Sequence, residues 1–153
     1  MFLKTHLAII IFFILIFFQH IQSPVLFLSI SVLATAFPDI DTKFSKIGHY
    51  KIFRIFNFFT RHRGITHSLS FLAVLSLLIF LFFKEALFPF VFAYSLHLLL
   101  DAITINGITP FYPLKLKIRG KIKTGGIIEK IFFVFFLLID LFLIFYKIYL
   151  IVK

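Results

Sequence analysis

Long apolar runs dominate the chain, at 7–18, 24–37, 66–83, 86–105 and 127–152, and short polar stretches separate them. A helix that crosses a bilayer needs about 20 apolar residues, with a range near 17–25. The last three runs reach that length. The first two are short, which predicts a tight helical hairpin turning around 19–24 or segments that enter the membrane only partway. The expected architecture is all-α. It is a polytopic transmembrane helical bundle of about five membrane segments, forming one integral membrane domain over 1–153.

Composition supports the same class. The chain is 61% hydrophobic and only 14% charged, so a water-soluble fold would lack the polar surface to cover itself. It has no cysteine, which excludes disulfides, Fe–S clusters and thiolate zinc sites. Any metal must be held by histidine, carboxylate, backbone or water.

The formal net charge of +10 points first to orientation. Lys43, Lys46, Lys51, Arg54, Arg61 and Arg63 lie between the second and third runs. Lys115, Lys117, Arg119, Lys121 and Lys123 lie between the fourth and fifth, Lys4 precedes the first, and Lys130 opens the last. Only Lys84, Lys147 and Lys153 fall on the other side. The basic loops are therefore expected in the cytoplasm, with the N-terminus inside and the C-terminus outside. The stretch 42–60 mixes basic and aromatic residues and suits an amphipathic helix on the inner leaflet. Ala34-Thr35-Ala36 looks like a signal-peptide cleavage site, but the apolar region before it is too long and is interrupted by His20 and Pro24. No nucleic-acid module is present, and no nucleic-acid partner is expected.

Ionisable groups inside membrane segments are costly, so their placement carries information. The chain has six acids and six histidines. On the expected topology, His6 opens the first segment from inside and Asp39 and Asp41 close the second there. His62 and His67 open the third, His97 and Asp101 lie in the inner half of the fourth, and Glu129 opens the fifth. Side chains from all five segments thus meet at one depth. His20, His49 and Glu85 read as ordinary interfacial residues. Asp140, about eleven residues beyond Glu129, reads as a buried hydrogen-bond partner or part of a proton path.

Three motifs carry the chemistry. In Pro38-Asp39-Ile40-Asp41 two carboxylates stand close enough to repel unless a cation or proton joins them; the bland reading is an acidic helix end in water. In His62-Arg63-Gly64-Ile65-Thr66-His67-Ser68 the histidines are five apart, about 140° around a helix, so His62 belongs to the loop and His67 to the first turn of the third segment. Free backbone N–H groups there, with Arg63, would suit a phosphate or carboxylate; the bland reading is a basic interfacial anchor. His97 and Asp101 are spaced i, i+4, which puts both on one helix face and suits one ion, with Thr104 continuing the face. An Asp-paired histidine holding two helices together is the alternative.

The set His6, Pro38-Asp39-Ile40-Asp41, His62 to Ser68, Ser95-Leu96-His97-Leu98-Leu99-Leu100-Asp101-Ala102-Ile103-Thr104 and Glu129 resembles the YdjM-type family of LexA-regulated inner-membrane metal-dependent hydrolases. Asn106-Gly107 and Tyr112-Pro113 fit that family's loop, and the resemblance covers nearly the whole chain. It implies a metal-dependent hydrolase in the inner membrane. The His-x-x-x-Asp helix is also similar to one in zinc phospholipase C and P1-type nucleases, which favours a phosphoester.

Eight ligand candidates exceed the four or so of one tetrahedral site, so two or more divalent metals are expected, Zn, Mn or Fe. His6, Asp39, Asp41, His67, His97 and Asp101 are assigned to metal, and His62 to metal or proton transfer. Arg63 would clamp the substrate anion, and an Asp or Glu129 would accept a proton from water. The expected partners are membrane lipid and a small-molecule or lipid phosphoester substrate. The rival readings are a divalent-metal or proton transporter, whose ligands would line a path across the bilayer, and a non-catalytic structural or regulatory membrane protein.

Overall fold

The computed structural model describes residues 1–41 and 65–153. They form five α-helices and, among the described residues, no strand. The helices are α1 (Leu3–Phe17), α2 (Pro24–Ala36), α3 (Leu69–Phe82), α4 (Lys84–Ala102) and α5 (Ile127–Val152). Short 3-10 turns follow α1 at Phe18–His20 and α2 at Phe37–Asp41. The loop 103–126 holds only two isolated bridges, Thr104 with Ile122 and Ile108 with Ile118. The amphipathic stretch expected at 42–60, with its basic residues and His49, lies outside the described residues.

Leu3–His20, Lys84–Ala102 and Ile127–Leu150 are long and apolar enough to cross a membrane, whereas Pro24–Asp39 and Leu69–Phe82 are shorter. This redistributes the lengths read from the sequence. The third run was expected to span, but its helix starts only at Leu69. Ser68 sits before it in extended conformation, and its hydroxyl accepts the Phe71 N–H at 3.2 Å. Phe83, at φ −145° and ψ 63°, then breaks the chain straight into α4. Fourteen residues make about 21 Å of helix, short of a hydrocarbon core of about 30 Å. The first run gains instead. Lys4, Thr5 and His6 join α1 ahead of the apolar stretch, and the 3-10 turn carries it on to His20.

Helix α4 packs on α2 and α3 and touches α1, while α1 connects this group to α5. Lipid-embedded helices gain little from hydrophobic burial against one another, so close packing must hold them. Helix α2 buries Ser31, Ala34 and Thr35, and α4 buries Ala93, small residues that let backbones approach. Phe27, Phe90, Tyr94 and Leu98 fill the remaining core with Ile10 and Ile14 of α1. The α1–α5 seam is parallel and aromatic. Lys4 Nζ lies 4.8 Å from the Phe133 ring centroid, Phe12 meets Phe136 edge-on at 5.1 Å, and Lys147 Nζ lies 5.1 Å from the Phe18 ring.

Successive helices reverse direction, which places the starts of α1, α3 and α5 and the ends of α2 and α4 at one end of the bundle. Contacts among Phe2, Asp39, His67, Asp101 and Glu129 record that convergence.

Candidate metal centre

Asp101 is the hub. It lies in the last turn of α4, buried, with His97 one turn before it on the same face. Oδ1 is 3.3 Å from His6 Nε2 of α1 and also accepts from the Met1 amine. Oδ2 is 3.4 Å from His67 Nε2 and 3.9 Å from His97 Nε2. Asp39, in the 3-10 turn after α2, brings Oδ1 to 3.8 Å from His67 Nε2. Four helix ends therefore bring five side chains together.

The imidazoles are in mutual contact. His6 and His97 stack with centroids 4.0 Å apart and planes at 12°, and His67 meets His97 at 5.5 Å and 63°. All three are fully buried. Two groups have ligand atoms within 4.8 Å of one another, His6 with His97 and Asp101, and Asp39 with His67 and His97. His97 belongs to both. Neither ring nitrogen of His97, nor Nδ1 of His6, has a hydrogen-bond partner among the described residues. Buried polar atoms left in that condition in a native protein call for a water or an ion. Imidazole nitrogen and carboxylate oxygen are the donor types that Zn, Mn and Fe(II) accept, so the residues present fit a divalent cation.

Local chemistry fixes two of the ligands. His67 is held in the turn Ile65–Ser68 rather than in the first helical turn, because Ser68 caps α3 and also donates to Ile65 O at 2.6 Å. Thr66 Oγ1 lies 3.3 Å from His67 Nδ1, which leaves Nε2 directed at the carboxylates. Thr66 O accepts from the Tyr94 hydroxyl at 2.5 Å, so α4 clamps the turn that carries His67. The sequence reading missed Tyr94 and Thr66. Tyr94 precedes His97 by three residues, and following the helix face of His97 and Asp101 would have found it.

One expectation is corrected. The first N–H groups of α3 are not free for an anion. Leu69 N and Ser70 N donate to Pro110 O at 2.8 and 3.3 Å, Phe71 N to Ser68 Oγ and Leu72 N to Ser68 O. The loop after α4 folds back and takes the donors that the sequence reading reserved for a phosphate.

Glu129 is buried at the start of α5 but stands outside both ligand groups. Oε1 accepts from Phe2 N at 2.5 Å and from Thr5 Oγ1 at 3.0 Å, and Oε2 accepts from Gly125 N at 2.6 Å. Its carboxylate ties the first turn of α1 to α5, one residue before His6. Thr104 is buried too, its hydroxyl donating to Asp101 O at 2.7 Å. His62, Arg63 and the side chain of Asp41 lie outside the described residues. Asp140 is buried deep in α5, and its Oδ1 has no hydrogen-bond partner among the described residues.

Comparison with known proteins identifies the chain at the level of family. The family model described as YdjM inner membrane protein matches residues 1–152. No curated protein and no solved structure matches the chain.

Proposed function

The chain belongs to the YdjM inner membrane protein family, and we propose that it is a membrane-bound metal-dependent hydrolase acting on a phosphoester or lipid head group at the cytoplasmic face. The observation that carries this reading is the shared position of His97, fully buried, common to two ligand groups and, among the described residues, without a hydrogen bond to either ring nitrogen. A purely structural histidine at a helix junction would be expected to satisfy at least one nitrogen.

His6, His97 and Asp101 would hold one divalent cation, and Asp39, His67 and His97 would define a second position beside it. Such a cation, when bound, lowers the pKa of water toward about 7 and polarises a phosphoryl oxygen. The remaining roles belong to this chain. Tyr94 and Thr66 keep His67 aimed at the carboxylates, and Glu129 holds the first turn of α1 so that His6 stays beside Asp101. Asp41 and His62 supply further donors, and Arg63 clamps the substrate anion. The basic loops beside this end of the bundle support a cytoplasmic placement.

The test is elemental analysis of purified protein, followed by a metal-supplemented screen against phospholipids and soluble phosphoesters. More than one equivalent of divalent metal is expected, together with turnover that His97→Ala abolishes. Full metal content in His97→Ala, or turnover unaffected by it, would sink the reading.

Asp140 favours a second reading, a divalent-metal or proton transporter, because it places a buried carboxylate far from the ligand groups. Proteoliposome flux that Asp140→Asn stops, with no hydrolysis in the screen, would favour transport.

A further inference from the structure

The loop between α4 and α5 carries a pattern that charge counting alone does not use. Over 114–123, Leu114, Leu116, Ile118 and Ile122 alternate with Lys115, Lys117, Arg119, Lys121 and Lys123, and Gly120 takes the one remaining place in the apolar row. No acid occurs between Asp101 and Glu129.

The second half of this stretch is pinned open. Ile118 exchanges backbone hydrogen bonds with Ile108 at 2.8 and 2.9 Å, Gly120 N donates to Thr104 O at 2.9 Å, and Ile122 N donates to Ile103 O at 3.1 Å. Bonding from every second residue is the signature of extended backbone, where successive side chains point to opposite faces. Glycine at 120 permits the close approach, since a Cβ there would sit 2.1 Å from Ile103 O. The result is a ribbon with an apolar row on one face and a basic row on the other.

Both rows are open to the surroundings. Leu114 (65%), Leu116 (58%) and Ile118 (46%) are exposed and Ile122 is half-buried, while all five cations are exposed. So large an exposed apolar row marks an interaction surface. The flanking helices decide where it lies. The ribbon leaves α4 just after Asp101 and returns into α5 just before Glu129, and both helices are long enough to cross the membrane. It therefore runs along the boundary between acyl chains and water. There the apolar row meets acyl chains, while lysine and arginine stems reach up to the phosphate level. Five cations in a stretch of sequence that holds no acid complement anionic head groups.

We propose that the ribbon 114–123 is a docking surface for anionic phospholipid, lying along the leaflet at the rim of the metal centre. The rim position follows from Pro110, whose carbonyl accepts the Leu69 and Ser70 N–H groups beside the turn that carries His67. This inference goes beyond the hydrolase reading and stands without it.

The chain has no tryptophan, so Leu116→Trp introduces a single tryptophan that can be excited selectively over the tyrosines while keeping every charge that orients the protein. The full-length variant is placed in nanodiscs of phosphatidylcholine alone, or of phosphatidylcholine with phosphatidylglycerol. Emission should be blue-shifted and quenched by brominated acyl chains, and both effects should be stronger in the anionic discs. Adding Arg119→Gln, Lys121→Gln and Lys123→Gln in the same background should remove the dependence on phosphatidylglycerol. Water-like, unquenched emission in both discs would overturn the proposal, as would equal immersion in the two lipids or a lipid dependence that survives the glutamines. A blue shift produced by a single-stranded oligonucleotide in neutral discs, with none from anionic lipid, would reassign the ribbon to nucleic acid and overturn it too.

Discussion

Helix α4 packs against α1, α2 and α3, and its buried face runs from Pro89 through Tyr94 and His97 to Asp101. Helix α5 packs chiefly on α1, and Glu129 and Asp140 are its buried residues among those described. Each helix carries acid into the membrane region, with different outcomes. Asp101 sits where four helix ends meet and has three imidazoles within 4 Å. Among the described residues Glu129 meets backbone N–H groups and one hydroxyl, and Asp140 keeps an oxygen with no hydrogen bond. Burial alone therefore does not make a ligand site. A carboxylate becomes one where several elements end together and bring nitrogen donors with them.

The comparison breaks most visibly at its hub. Asp101→Ala leaves His6 and His67 facing no carboxylate at that position, and removing one partner of a buried charged network costs about 3–5 kcal/mol. Reversible unfolding in micelles should show that loss, and elemental analysis should show depleted metal. Wild-type stability with full metal content would erase the distinction between α4 and α5.

Glu129→Gln sharpens it. The variant keeps an acceptor oxygen but loses the charge that strengthens three hydrogen bonds, so the α1–α5 seam should weaken by about 1.5–3 kcal/mol. Metal content should stay at the wild-type level. Metal lost together with stability would move Glu129 into the centre.

The smallest effect belongs to Asp140. Replacing a buried carboxylate that lacks a full set of partners by an apolar residue of similar size is close to neutral, so Asp140→Leu should change unfolding by less than about 1 kcal/mol, with stabilisation the favoured sign. A clear destabilisation would reveal a polar partner for Asp140 across the seam and bring α5 nearer to α4 in character.

Much of this was legible from the residues. The His97–Asp101 face follows from helical spacing, and the convergence of His6, Asp39, His67, His97 and Asp101 follows from counting crossings. Other features were hidden because they rest on main-chain atoms, which carry no residue signal. Pro110 O occupies the α3 N–H groups that seemed open to an anion, Phe2 N draws Glu129 toward α1, and Gly125 N holds its other oxygen at the start of α5. The length of α3 was misjudged for a related reason. The expected run 66–83 includes Thr66, His67, Ser68 and Phe83, but the Ser68 hydroxyl and the Phe83 backbone confine the helix to Leu69–Phe82.

By itself, then, the sequence determined the membrane class, the five segments and the end of the bundle to which His6, Asp39, His67, His97, Asp101 and Glu129 belong, since every reversal of the chain assigns an end whatever the packing. Which of those side chains touch was decided only by the tertiary structure. Contacts of 3–4 Å depend on helix rotation, helix length and the backbone donors of distant loops. Those were set when small residues let α2 and α4 close together and the loop 103–126 folded back onto α3.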